Sequence, residues 1–172
     1  MSRGFSLVEL MVTIAVAAVL ASTALVRPGL QQQRLELETA MRRLRVGLDR
    51  ARLAAERNQQ PCGLSLGAQG WQKPHSSALP VCPGALLPLR ESAAGGSPDT
   101  LISLRTNLPQ LLRFTANGLV LDGGVVVLRH VQLPLERCLV LGLPLGITRT
   151  GRYDADADQP LSSAHCRPSD DG

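Results

Sequence analysis

Three groups of residues in this chain have the types and spacing to do chemistry. Glu9 is the only charge in an apolar run from Phe5 to Val26. A carboxylate there costs about 3 kcal/mol on membrane-insertion scales, so it is read as functional and in need of a cationic partner. The second group is the four cysteines, Cys62, Cys82, Cys138 and Cys166, with three histidines, His75, His130 and His165. These could bind zinc or form disulfides, but there is no Cys-x-x-Cys pair and the histidines are scattered, which argues against a metal. The third is Arg149 and Arg152 followed by Asp154, Asp156 and Asp158. Two arginines at a strand end could hold phosphates, whereas the alternating acids resemble a calcium loop that lacks its glycine and distal glutamate. No Gly-x-Ser-x-Gly elbow, Gly-Lys-Ser/Thr phosphate loop or His-Glu-x-x-His helix occurs. No enzyme, cofactor or metal is therefore expected. His130, in an apolar strand, reads as a solvent-facing or hydrogen-bonded residue.

The run that carries Glu9 has 22 residues, about 33 Å as a helix and long enough to cross a bilayer. An ordinary signal peptide cut after Ala21 or Ala24 would have a shorter, cleaner apolar core. A plain uncleaved anchor leaves Glu9 without a role. Arg27, Arg34, Arg42, Arg43 and Arg45 come after the run, against Arg3 and the amino terminus before it. Charge counting alone would therefore place the carboxyl side in the cytoplasm.

Pro28-Gly29 predicts a kink or break after the run. Beyond it Leu30, Leu37, Met41, Leu44, Leu48, Ala51 and Ala55 recur at helical spacing and predict an amphipathic helix ending near Asn58. Its polar face carries seven arginines and four acids, and Glu38–Arg42 has the favourable i,i+4 spacing. Such a face is ordinarily solvated.

Aromatic content is 2%, so a soluble core must come from Leu, Val, Ile and Ala, and base-stacking platforms are excluded. Twelve prolines and sixteen glycines exclude a helical bundle after residue 60. The net charge of +4, with Lys73 the only lysine, does not by itself choose a partner. Residues 63–71 predict a short hairpin, and residues 74–98 a long irregular excursion. Residues 101–105, 111–114, 119–121, 125–130, 137–141 and 145–149 predict short strands. Asn117-Gly118 marks a hairpin turn, and the segment from Asp154 reads as a flexible acidic tail. The expected fold class is α+β, with a long N-terminal helix packed on a small antiparallel β-sheet or sandwich.

Gly4-Phe5 followed by Glu9 resembles the processing signature of type IV pilins and pseudopilins, a resemblance that covers about the first 55 residues. It implies cleavage by a prepilin peptidase after Gly4, N-methylation of Phe5, and Glu9 facing the amino terminus of a neighbouring subunit. The segments at 112–118, 125–130 and 137–152 resemble the H-type pseudopilins and FimT-like minor pilins. The implied organisation is a leader (1–4), a transmembrane and filament-core helix (5–26), its amphipathic continuation (27–58) and a β-rich pilin head (59–172). The implied location is the bacterial inner membrane, single-pass, with the head periplasmic, the reverse of the orientation that charge counting gives. The implied partners are the other pilin or pseudopilin subunits and the inner-membrane assembly platform of a type IV pilus or type II secretion pseudopilus.

In that compartment an even cysteine count favours two disulfides. Of three pairings, Cys62–Cys82 and Cys138–Cys166 are preferred because each closes a local loop, worth about 3 kcal/mol. In some FimT-like pilins, arginines beside a carboxy-terminal glycine contact DNA. Gly151-Arg152 lies at the matching place, with Arg149 one strand alternation from a second position. Here the three acids follow where a further arginine would stand, and the competing reading is a solvent-exposed Gly-Arg turn. The alternatives to a structural subunit are thus a DNA-binding minor pilin and a membrane-anchored periplasmic enzyme.

Overall fold

The apolar stripe of the second helix organises the head. Helix α2 (Gly29–Asn58) buries Leu37, Ala40, Met41, Leu44, Gly47, Leu48, Ala51 and Ala55. These recur every three or four residues, which keeps them on one side of a 3.6-residue helix. Leu30, expected on the same stripe, is 61% exposed. Burial begins one turn or more later, at Leu37.

The computed structural model describes residues 7–24, 29–75, 78–90, 101–156 and 158–169. Its contacts divide the chain into two units, Met1–Gln32 and Gln33–Gly172. The first holds helix α1 (Leu7–Ala24). The break expected at Pro28 lies outside the described residues, as do Gly4 and Phe5; α2 begins at Gly29.

Against the α2 stripe lie two antiparallel sheets. The smaller has β1 (Cys62–Gly67) between β2 (Gly70–Gln72) and β4 (Leu112–Phe114). The larger has the order β3 (Ile102–Thr106), β5 (Gly124–His130), β6 (Glu136–Gly142), β7 (Ile147–Tyr153) and β8 (Cys166–Pro168). This is the α+β architecture anticipated for the chain.

The five-stranded sheet is covered on both faces. Val126, Leu128, Leu139 and Leu141 face the helix core with Leu37, Leu44 and Leu48. Val125, Val127, Cys138, Tyr153 and Cys166 form a second cluster on the other face, with Ala155 and Leu161 against it. A strand buried on both faces loses the apolar–polar alternation, and residues 125–128 of β5 are all buried.

Three expectations need correction. Residues 119–121 form no strand: Val120 makes an isolated bridge to Phe114, where the Thr115 N–H donates to the Leu119 carbonyl and the Leu121 N–H to the Arg113 carbonyl, while the Val120 N–H turns away to the Pro144 carbonyl. The segment after Asp154 is not a loose tail through its described length. It returns through a 3-10 turn at Ser163–His165 and pairs as β8 on β7, held by the Cys138–Cys166 disulfide. Gly151-Arg152 is not a turn but lies within β7, toward its carboxyl end.

Both disulfides join residues near in sequence, 20 apart for Cys62–Cys82 and 28 apart for Cys138–Cys166. The first ties β1 to the irregular segment 78–90, and the second ties β6 to β8 across β7.

Candidate functional site

Helix α1 exposes apolar side chains on all sides. Leu7, Val8, Leu10, Met11, Val12, Ile14 and Val16 are each more than half exposed. A helix apolar all round needs lipid or other helices to cover it. Glu9 sits in its first turn and is exposed, where a carboxylate also complements the positive end of the helix dipole. The 18 residues of α1 make about 27 Å, just under the roughly 30 Å of a bilayer core. Among the described residues no helix is long and apolar enough to cross a membrane. The expected span, 5–26, runs past the described residues at both ends.

A second constellation lies within the unit Gln33–Gly172. Arg34, Glu38, Arg42 and Arg45 are spaced 4, 4 and 3 residues apart on α2, so they line one edge of the helix beside the apolar stripe. Opposite them, strand register places Arg137 of β6 next to Arg152 of β7, and Arg152 next to Arg167 of β8. This row is on the helix side of the sheet, since Arg137 alternates with Leu139 and Leu141. Arg137 Nε donates to Glu38 Oε1, an ion pair that joins helix to sheet. It supplants the Glu38–Arg42 pairing expected from spacing. The Arg137 side chain is 16% exposed, so it needs a counter-charge more than a solvated Arg42 does.

The Arg137–Glu38 pair lines two cavities. One, about 310 Å³, is lined by Arg34, Leu37, Glu38, Leu135, Arg137 and Arg152. The other, about 250 Å³, has Met41, Arg42, Arg45, Thr150, Gly151 and Ser169 as its further walls. Each thus has a cationic rim, and the first also has the partly exposed Leu135 in its wall. Sequence reading missed this groove. Its sheet-side arginines, Arg137 and Arg152, are 15 residues apart in sequence, and only hairpin register unites them.

Arg149 and Arg152, by contrast, are not brought together. Three positions apart in one strand, they point to opposite faces. Arg149 donates to the Ser163 carbonyl at 3.2 Å. Beyond the arginine row, Asp154 pairs with Arg167 at 3.4 Å, and Asp156 accepts from Gln159.

His130 is fully buried. Its Nδ1 accepts from the Gln132 backbone N–H at 3.2 Å, and its Nε2 is 3.9 Å from Glu36 Oε2. It is thus hydrogen-bonded and buried rather than solvent-facing. Among the described residues no three His, Cys, Asp or Glu side chains are placed to hold a metal ion.

Arg113 and Asp122 close the turn between β4 and β5. Arg113 Nε and Nη2 donate to the two carboxylate oxygens of Asp122 at 2.9 and 2.8 Å, and the Arg113 backbone N–H donates at 3.1 Å. The side-chain hydrogen bonds from Arg113 hold the Asp122 carboxyl below its usual range.

An exposed apolar helix is followed in the chain by an α+β unit with two disulfides, an architecture consistent with the pilin fold. Residues 1–25 match the family model described as the prokaryotic N-terminal methylation motif. The chain therefore carries a prepilin signal, which supports a pilin-like or pseudopilin protein and implies processing by a prepilin peptidase and assembly with other pilins. No curated protein and no solved structure matches the chain.

Proposed function

We propose that the protein is a minor pilin or H-type pseudopilin, a structural subunit of a type IV pilus or a type II secretion pseudopilus, and not an enzyme. The prepilin crosses the inner membrane once through residues 5–26, with residues 59–172 forming a periplasmic head. It is cut after Gly4 and methylated on Phe5. In the filament, Glu9 pairs with the terminal ammonium of a neighbouring subunit. An unpaired carboxylate in an apolar filament core is penalised, so the pair sets axial register during assembly.

One observation carries this reading. The match to the methylation motif over residues 1–25 coincides with an exposed apolar helix whose first turn holds Glu9. DNA contact through Arg149 and Arg152 together is not advanced, since the two lie on opposite faces of β7.

Mass spectrometry of the mature amino terminus tests the proposal. The expected result is a chain beginning at methylated Phe5. A terminus near Leu25, or an intact Met1, would overturn it.

A further inference from the structure

We propose that the arginine groove between α2 and strands β6–β8 seats the phosphate of an anionic phospholipid headgroup. This rests on the filament-subunit reading, because it takes the apolar run ending at Val26 to lie in the bilayer before assembly.

Charge comes first. Arg34, Arg42, Arg45 and Arg152 line the two cavities, and the one acid among the lining residues, Glu38, is engaged with Arg137. Guanidinium groups match phosphate oxygens with paired donors in a fixed fork. The shape of the groove also fits a lipid. Cavities of about 250 and 310 Å³ suit a headgroup and not a duplex. Leu135, partly exposed, stands among the arginines of the 310 Å³ cavity, so that cavity offers apolar contact beside cationic donors. An amphiphile uses both; a free phosphate or a nucleic-acid backbone uses only the second. Asp154, Asp156 and Asp158 follow Arg152 closely, a poor setting for a long polyanion.

Reach is the third consideration. Arg34 is eight residues beyond Val26, and that length of chain spans at most about 28 Å. Arg34 therefore lies within that distance of the end of the apolar run along the chain, and Arg42 and Arg45 continue along the same edge of α2, about 12 and 17 Å further on. The same site explains the sign of the flanking charge. Three of the five arginines that a simple count assigns to the cytoplasm, Arg34, Arg42 and Arg45, line this groove, and anionic headgroups would hold them, each worth about fivefold in membrane affinity.

The test uses the full mature chain in zwitterionic detergent, with native mass spectrometry during titration with phosphatidylglycerol or phosphatidylcholine of the same acyl chains. Phosphatidylglycerol is expected to be retained about tenfold over phosphatidylcholine. Arg34→Ala/Arg152→Ala should abolish that preference. Arg34→Lys/Arg152→Lys should keep most of it, and Arg149→Ala, on the opposite face, should leave it unchanged. Circular dichroism of each variant separates lost binding from lost folding.

Equal retention of the two lipids overturns the proposal, as does a preference that survives in a folded alanine double variant. Displacement of phosphatidylglycerol by inorganic phosphate, or by a duplex oligonucleotide at equal phosphate concentration, assigns the groove to that anion instead and also overturns it. The same spectra report the amino terminus. A methylated Phe5 without lipid preference sinks the lipid site alone, whereas an unmethylated terminus sinks the filament reading.

Discussion

Asp122 accepts two side-chain hydrogen bonds from Arg113, so its pKa in the folded chain lies below the unfolded value of about 3.9. Its contribution to stability is in place above that unfolded value and is lost as pH falls through the lower, folded one. Asp122→Asn is therefore expected to lower Tm at pH 7, with the gap to wild type closing as pH falls through the lowered, folded-state pKa of Asp122; thermal melts from neutral to acid pH would show it. Glu9 sets a different expectation. Glu9→Leu should still be membrane-inserted and processed, yet be absent from sheared filaments by immunoblot, since under the proposed function the substitution removes the partner of the neighbouring amino terminus. Equal recovery of variant and wild type in filaments would count against an assembly role. Glu9 was legible in the sequence because a lone charge in an apolar run needs no fold to be noticed. The arginine groove was not, because Arg137 and Arg152 become neighbours only through strand register, and both face α2 only in the folded chain.

At the scale of elements, Trp71 explains a glycine in the middle of a helix. A Cβ on Gly47 would lie 2.1 Å from Trp71 Cδ1, and the indole Nε1 donates to the Leu44 carbonyl at 2.9 Å. The ring lies against bare backbone and spends its one donor there. Gly47→Ala gains about 1 kcal/mol of helix propensity, but overpacking costs about 1–3 kcal/mol. A net loss of about 1 kcal/mol in denaturant unfolding is expected, where an exposed helical glycine would show a gain. The helix itself was legible to its end at Asn58, since its stripe is periodic and Pro61 lies just beyond. Strands β3, β5 and β6 were legible from their apolar runs. Strand β8 was not: Cys166–Pro168 has three residues, a proline and an arginine, and its pairing comes from the disulfide and from Gly151. A Cβ on Gly151 would lie 2.0 Å from the Arg167 carbonyl, so glycine there admits the edge strand.

Across the whole molecule, the head draws on two kinds of restraint. The helix-facing core is aliphatic with Trp71 and Phe114, while the second cluster is small and centred on Cys138–Cys166. That small cluster leans on its covalent link. Cys138→Ala/Cys166→Ala is expected to lose about 3–4 kcal/mol in equilibrium unfolding of the full chain. Equal stability of this variant and wild type would show that packing of Tyr153 and its neighbours suffices. The two local disulfides were legible from spacing and compartment. The two-faced coverage of the large sheet was not, because the segment after Asp154 looks polar and carries only Ala155, Leu161 and Cys166 to mark its buried side.

The place of Trp71 also gives the chain an optical handle. It is the one indole in the sequence, 4% exposed and lodged where β2 meets α2. Its fluorescence reports that single contact with no background from other tryptophans in the chain. A blue-shifted emission marks a docked helix, and a red shift marks its release into water. The purified subunit can thus be followed through membrane extraction, lipid titration or reduction of its disulfides without a label, and each treatment scored for whether the helix has left the sheet.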